Sequence, residues 1–241
     1  MEKTLLTAAI FLVPTLLLVA GFKLSGRRVE WAPLLWSGLA FAVYMTLLRS
    51  RGVVPEPAFM AELSLNWYGK GLAILGTLTM LYYLPGVSFR AAGVCWKQTE
   101  GSLGPVVTTA VMTILSATII SGIVSTSPNT TLEWLAFQAT MPGLDEELFM
   151  RGLLLLLLHQ AFGKNLRFWG IETGWGLWLT TLLFGLLHGV AWTDAGLALN
   201  FPAIVMTGTI GFVEGWLRER SGSLVAPILF HNGFNLAQSF V

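Results

Sequence analysis

The chain has 241 residues, of which 54% are hydrophobic and 11% charged, and its mean hydropathy is +0.69. A soluble domain carries about 25% charged residues, so an ordinary water-soluble globule is excluded as the starting point. A formal net charge of +1 equally excludes a strongly basic nucleic-acid binder. The single cysteine, Cys95, cannot close an internal disulfide.

A membrane crossing takes about 20 apolar residues at about 1.5 Å rise each. The first such stretch, 4–22, runs too far for a secretory h-region and lacks a small-x-small cleavage site, so it reads as a first span. Further spans are expected at 31–48, 71–90 and 104–125. Residues 49–70 hold two prolines with Arg49, Arg51 and Lys70, and read as a partly exposed loop. Thr131 to Met141 is too short to cross; it lies at the interface or extends the next helix across Pro142–Gly143. Four more spans, 143–162, 175–193, 195–216 and 223–240, carry polar residues at mid-depth. The expected fold is all-α, a polytopic transmembrane helical bundle of about eight spans. It divides into N-terminal spans and loops over 1–130 and a polar-bearing membrane core over 131–241, integrated in one membrane domain.

Under eight crossings, one set of loops holds Lys23, Arg27, Arg28, Arg90, Lys97, Lys164, Arg167, Arg218 and Arg220, and the other holds Lys3, Arg49, Arg51 and Lys70. The richer set belongs inside the cell. That places both termini outside, in a membrane of prokaryotic type.

Charges inside apolar helices are costly and are functional by default. Asp145, Glu146, Glu147 and Arg151 open the fifth expected span. His188 lies in the sixth, within TTLLFGLLHG, and His231 and Asn235 lie in the eighth, within APILFHNGFN. Glu147 and Arg151 are spaced i, i+4 with the acid N-terminal, the favourable order, and so can pair. Glu146 is turned about 100° away at about 3.6 residues per turn, free to face a cavity. Phe184 and His188 share a face, as do His231 and Asn235, which present two hydrogen-bond donors together. A carboxylate and an imidazole in a partly dehydrated pocket can hold a water and take its proton. A second imidazole and an amide can stabilise the oxyanion that follows. These are the parts of a peptide hydrolase that forms no acyl-enzyme.

The same residues resemble the motifs of the CPBP family of CAAX-type and bacteriocin-processing membrane proteases. Glu146 to Arg151 is similar to its EExxxR motif, Phe184 to His188 to its FxxxH motif, and His231 to Asn235 to its HxxxN motif. The resemblance covers roughly 140–238; the first 130 residues match only as generic spans. It implies a glutamic intramembrane endopeptidase in which Glu146 and His188 activate water and His231 and Asn235 form the oxyanion hole. Glu147, Arg151 and Phe184 would support them, with no cofactor. The implied partners are the lipid bilayer and a protein or peptide substrate, lipidated or membrane-anchored, and no nucleic acid. One departure is Met150, where the family usually has an aromatic residue.

Other readings stay open. Glu146, His188 and His231 could bind zinc in a metalloprotease, although HExxH is absent. A transporter, an immunity protein or a scaffold would also tolerate buried Glu and His. Taken singly, Glu146 and Glu147 suit a helix's first turn, and the histidines suit polar contacts between helices. Glu214 and Arg218 are expected to pair at i, i+4, and His159 to act as a cation at a helix C-terminus. Gly185-xxx-Gly189 and Gly211-xxx-Gly215 fit small-xxx-small packing.

Overall fold

The computed structural model describes residues 2–124 and 128–241. Its first part contains α1 (Glu2–Leu24), α2 (Trp31–Leu48), the short α3 (Ala58–Ala61), α4 (Trp67–Tyr83) and α5 (Leu103–Val124). Next come α6 (Leu132–Gln138) and α7 (Met141–Glu147), which runs through a π-helical segment (Leu148–Leu154) directly into α8 (Leu155–Phe162). The antiparallel hairpin β1 (Leu166–Phe168)–β2 (Ile171–Thr173) leads to α9 (Trp175–Gly189). The hairpin β3 (Val190–Thr193)–β4 (Gly196–Leu199) leads to α10 (Phe201–Ser221), and α11 (Val225–Gln238) completes the bundle.

The all-α membrane architecture holds, but the span count does not. Among the described residues, α1, α2 and α5 alone are long and apolar enough to cross a membrane by themselves. At about 1.5 Å per residue, the 15 residues of α9 reach about 22 Å, short of the roughly 30 Å hydrocarbon core. The expected span 175–193 stops at Gly189 because Val190 to Thr193 pair with Gly196 to Leu199 as strands. For the same reason the expected 195–216 span begins only at Phe201, where the Asn200 side chain accepts from the Ala203 N–H. The expected 71–90 span is observed at Trp67–Tyr83. Asn66 caps its first turn through the Gly69 N–H, and Pro85 forces Leu84 into extended backbone. Helix α6 is separate from α7, and Pro142 sits in the first turn of α7, where its missing N–H costs nothing. Ser125, the last residue of the expected 104–125 span, lies outside the described residues.

The central rod is the continuous α7–π–α8 unit. Every residue from Glu147 to Leu155 is buried, as expected of a helix apolar on almost all sides. Phe149 stacks on Tyr44 of α2 with centroids 3.8 Å apart, and Phe41 stacks on Phe11 of α1. Helix α10 lies against α9 at glycine contacts. A Cβ on Gly185 would fall 2.6 Å from the Ile204 carbonyl oxygen, and one on Gly189 would fall 2.7 Å from that of Asn200. Backbone cannot yield as a side chain can. Gly185→Ala should therefore force α9 and α10 apart, destabilising the protein by about 1–3 kcal/mol, read as a lower thermal midpoint in detergent.

Candidate active site

Two adjacent acids at the end of α7 face different partners. Glu147 turns inward and Glu146 turns toward a cavity. The Glu147 carboxylate accepts from Arg151 Nη1 at 3.0 Å, so the expected i, i+4 pair is present. Arg151 is 1% exposed and reaches two further acceptors on α10. Its Nη2 lies 2.6 Å from Glu214 and 3.0 Å from the Gly211 carbonyl oxygen. Gly211 permits this, because a Cβ there would fall 2.9 Å from the guanidinium. The expected Glu214–Arg218 pair is not formed. A buried carboxylate takes the buried cation, while Arg218 donates to the carbonyls of Ala91 and Ala92.

His231 closes this cluster from α11. Its Nδ1 is 2.9 Å from Glu147 Oε1 and 3.0 Å from Glu214 Oε1. Carboxylates only accept, so Nδ1 carries a proton. Phe184 is the spacer. Arg151 stacks 4.3 Å over its ring, and the His188 and His231 rings lie 4.5 and 6.1 Å from it.

On the other side, Glu146 Oε1 accepts from Lys70 Nζ at 2.8 Å, and Lys70 also donates to Asp145 at 2.9 Å. Tyr44 donates to the same Asp145 oxygen at 3.1 Å. The second oxygen of Glu146 lies 3.9 Å from His188 Nε2. His188 Nδ1 donates to the Phe184 carbonyl at 2.8 Å. That contact assigns the tautomer and leaves Nε2 with a lone pair.

Glu146, His188, His231 and Asn235 all line one cavity of about 440 Å³, with Lys70, Phe184 and Glu214. The four expected functional residues therefore converge. Helix α6 roofs the cavity with Trp134, Phe137 and Gln138. It is anchored by Glu133, which accepts from the Leu65 and Ser64 amides, the Ser64 hydroxyl and the Trp67 indole. Those bonds, the Leu65 amide foremost, hold the Glu133 carboxyl below the usual carboxylate range. Asn232 clamps α11 to α7, accepting from Gly143 N–H at 2.7 Å and donating to the Thr140 carbonyl.

From the sequence, Asp145 belonged to the charged cluster without a partner, Lys70 fell in a loop, Glu214 was matched to Arg218, and Tyr44 gave no signal. Lys70 is the most accessible of them to better reading, because Asn66 is a helix cap that would have moved Lys70 from loop to helix. His159 does lie in the last turn of α8, and there it is buried and paired with Glu219 at 3.0 Å. As to metals, the zinc set Glu146, His188 and His231 does not bring one ligand atom each together. Among the described residues the single cluster of three, within 4.8 Å, is Glu147, Glu214 and His231, and Arg151 already sits against both of its carboxylates.

Removing the guanidinium should leave two buried carboxylates sharing His231 alone. Arg151→Met should cost about 3–5 kcal/mol, measured as a fall in thermal midpoint, and adding Glu214→Gln should recover part of the loss.

Residues 128–237 match the family model described as Type II CAAX prenyl endopeptidase Rce1-like. That stretch holds all three motifs. No curated protein and no solved structure matches the chain at a significant level.

Proposed function

With membership of the CPBP family, which this match supports, as the premise, we propose that the chain is a CAAX-type intramembrane endopeptidase of the glutamic class. Its substrate is a protein or peptide, lipidated or membrane-anchored, cut near its C-terminus or in a membrane segment. The observation that carries the reading is the 3.9 Å gap between Glu146 Oε2 and His188 Nε2, in a cavity also lined by His231 and Asn235. That gap is too long for a direct hydrogen bond and accommodates a bridging water.

The chemistry follows from which atoms are already committed. His188 Nδ1–H is held by the Phe184 carbonyl, so Nε2 faces the water as an acceptor. A water donating to both Nε2 and Glu146 Oε2 keeps its own lone pairs free to attack a carbonyl carbon. Glu146 takes the proton as the new C–O bond forms. The oxyanion accepts from the Asn235 amide and from Nε2–H of His231, whose Nδ1–H is engaged by Glu147 and Glu214. Collapse breaks the C–N bond, and the proton passes to the leaving amine. Two fragments result, with no covalent intermediate. Lys70 holds the other oxygen of Glu146 and so orients the carboxylate.

A library of quenched apolar peptides presented to the protein in detergent tests this. Glu146→Gln should lower kcat by about 10²–10⁴-fold while peptide binding persists. Asn235→Ala should lower kcat by about 10²–10³-fold with little change in KM. Undiminished cleavage by Glu146→Gln overturns the reading.

The rival zinc mechanism makes a different demand. Purified protein is expected to hold far less than one zinc per chain and to cleave in the presence of a chelator. Stoichiometric zinc lost together with activity would favour the metalloprotease.

A further inference from the structure

A cavity of about 610 Å³ lies between α1 and α2 and shares no residue with the site around Glu146. Its wall on α2 is a single helical face, Gly38, Phe41, Ala42, Met45, Thr46 and Arg49, and residues 4–12 of α1 stand opposite. Phe11 and Phe41, stacked with centroids 4.8 Å apart, close its inner side. Thr7 and Thr46 return their hydroxyls to the Lys3 and Ala42 carbonyls of their own helices, so both present methyl groups. Among the described residues, no acidic side chain lines the cavity, and its one cation is Arg49.

Arg49 stands at the mouth, directly after the last residue of α2, and is exposed. Its guanidinium makes no hydrogen bond or ion pair among the described residues. The other two cations between 49 and 70 are committed. Arg51 donates to the carbonyls of Leu63, Ser64 and Leu65, and Lys70 to Asp145 and Glu146. Beside Arg49, the apolar Val53 is 81% exposed and lines the same mouth.

Depth and charge together limit what can fill this space. Both α1 and α2 are apolar and long enough to cross a membrane, so the cavity faces acyl chains and not water. From Gly38 to Arg49 its wall runs about 16 Å, the depth of one leaflet in a hydrocarbon core of about 30 Å. The guanidinium at the surface end is a planar fork of donors suited to a phosphate. With no acid in the lining, a choline or ethanolamine cation would find no counter-charge there. A headgroup of net negative charge leaves nothing unmatched.

We propose that this cavity binds one anionic glycerophospholipid, with an acyl chain along α2 from Gly38 to Thr46 and the phosphate on Arg49. The chain rests on Phe41, which also packs against Phe149 of the central rod with centroids 6.4 Å apart. Occupancy therefore steadies α1 and α2 against that rod. The site is independent of the protease reading.

The test uses the full chain, stripped of lipid in a mild detergent and titrated with phosphatidylglycerol or phosphatidylcholine of the same acyl chains. Native mass spectrometry should show one phosphatidylglycerol per chain, and the thermal midpoint should rise with it. Its affinity should exceed that of phosphatidylcholine by about fivefold, the worth of one cation near a charged membrane surface. Arg49→Gln should bring the two lipids to parity. Lys97→Gln makes the same charge change at an exposed position outside the cavity and should keep the preference. Ala42→Trp fills the slot from an exposed position, keeps Arg49, and should abolish binding of both lipids. Glycerol phosphate, which lacks the chain, should not shift the midpoint. In the unaltered protein, a phosphatidylglycerol with a photoreactive acyl chain should crosslink within 38–46 of α2 or 4–12 of α1, which decides the slot even if a variant fails to fold. Equal affinity for the two lipids, a preference that survives Arg49→Gln or is lost equally in Lys97→Gln, or crosslinks confined to other helices would each overturn the proposal.

Discussion

Arg151 is surrounded by protein on all sides and donates to Glu147 on its own helical rod and to Glu214 and the Gly211 carbonyl on α10. His231 on α11 then touches the same two carboxylates. Three helices are thereby held in one register by charge–charge contacts with no water to compete. Such a cluster adds little net stability over apolar packing, because desolvation offsets much of the attraction, but losing one member is severe. What it contributes is placement. With Glu147 tied inward, the preceding Glu146 is turned away from the hub, toward Lys70 and His188.

The backbone around this hub is unusual in a way that follows from it. A π-helical segment starts immediately after Glu147 and contains Arg151. A π-helical stretch is intrinsically poor and persists only where tertiary contacts hold it. Here the whole segment is buried, with Phe149 stacked on Tyr44 and Arg151 stacked on Phe184. The hydroxyl of that same Tyr44 bonds Asp145, which Lys70 also holds. The two halves of the site, Arg151 with its carboxylates and Lys70 with its own, are thus joined through one aromatic stack.

The polar residues in apolar segments were legible because their cost in a membrane demands a reason, and Glu146, His188, His231 and Asn235 do meet in one cavity. The Glu147–Arg151 pair was legible because it is local, four residues apart on one helix. Glu214 was not. Its local partner at i, i+4, Arg218, lost to a cation 63 positions away in sequence, a choice decided by burial and invisible to spacing. Lys70 was misplaced for a smaller reason, a helix start put four residues late. The π-helical segment left no trace in residue pattern at all, since LFMRGLL reads as ordinary helix.

The corrected span count changes how the bundle divides its work. Among the described residues, the long apolar helices α1, α2 and α5 contribute to the site through Tyr44 alone. The site residues sit on shorter or more polar elements: Lys70 on the 17-residue α4, His188 on the 15-residue α9, and His231 and Asn235 on the 14-residue α11. Hydrolysis consumes water, and a helix too short for the hydrocarbon core draws its ends toward the interface instead of leaving them in lipid. Where α9 ends at Gly189, one residue past His188, the β3–β4 hairpin takes over and the His188 side chain is 40% exposed. The short helices therefore leave His188, the imidazole to which the proposed mechanism assigns the water, open to solvent, while the hub around Arg151 is buried. A uniform set of eight full-length spans would have buried both.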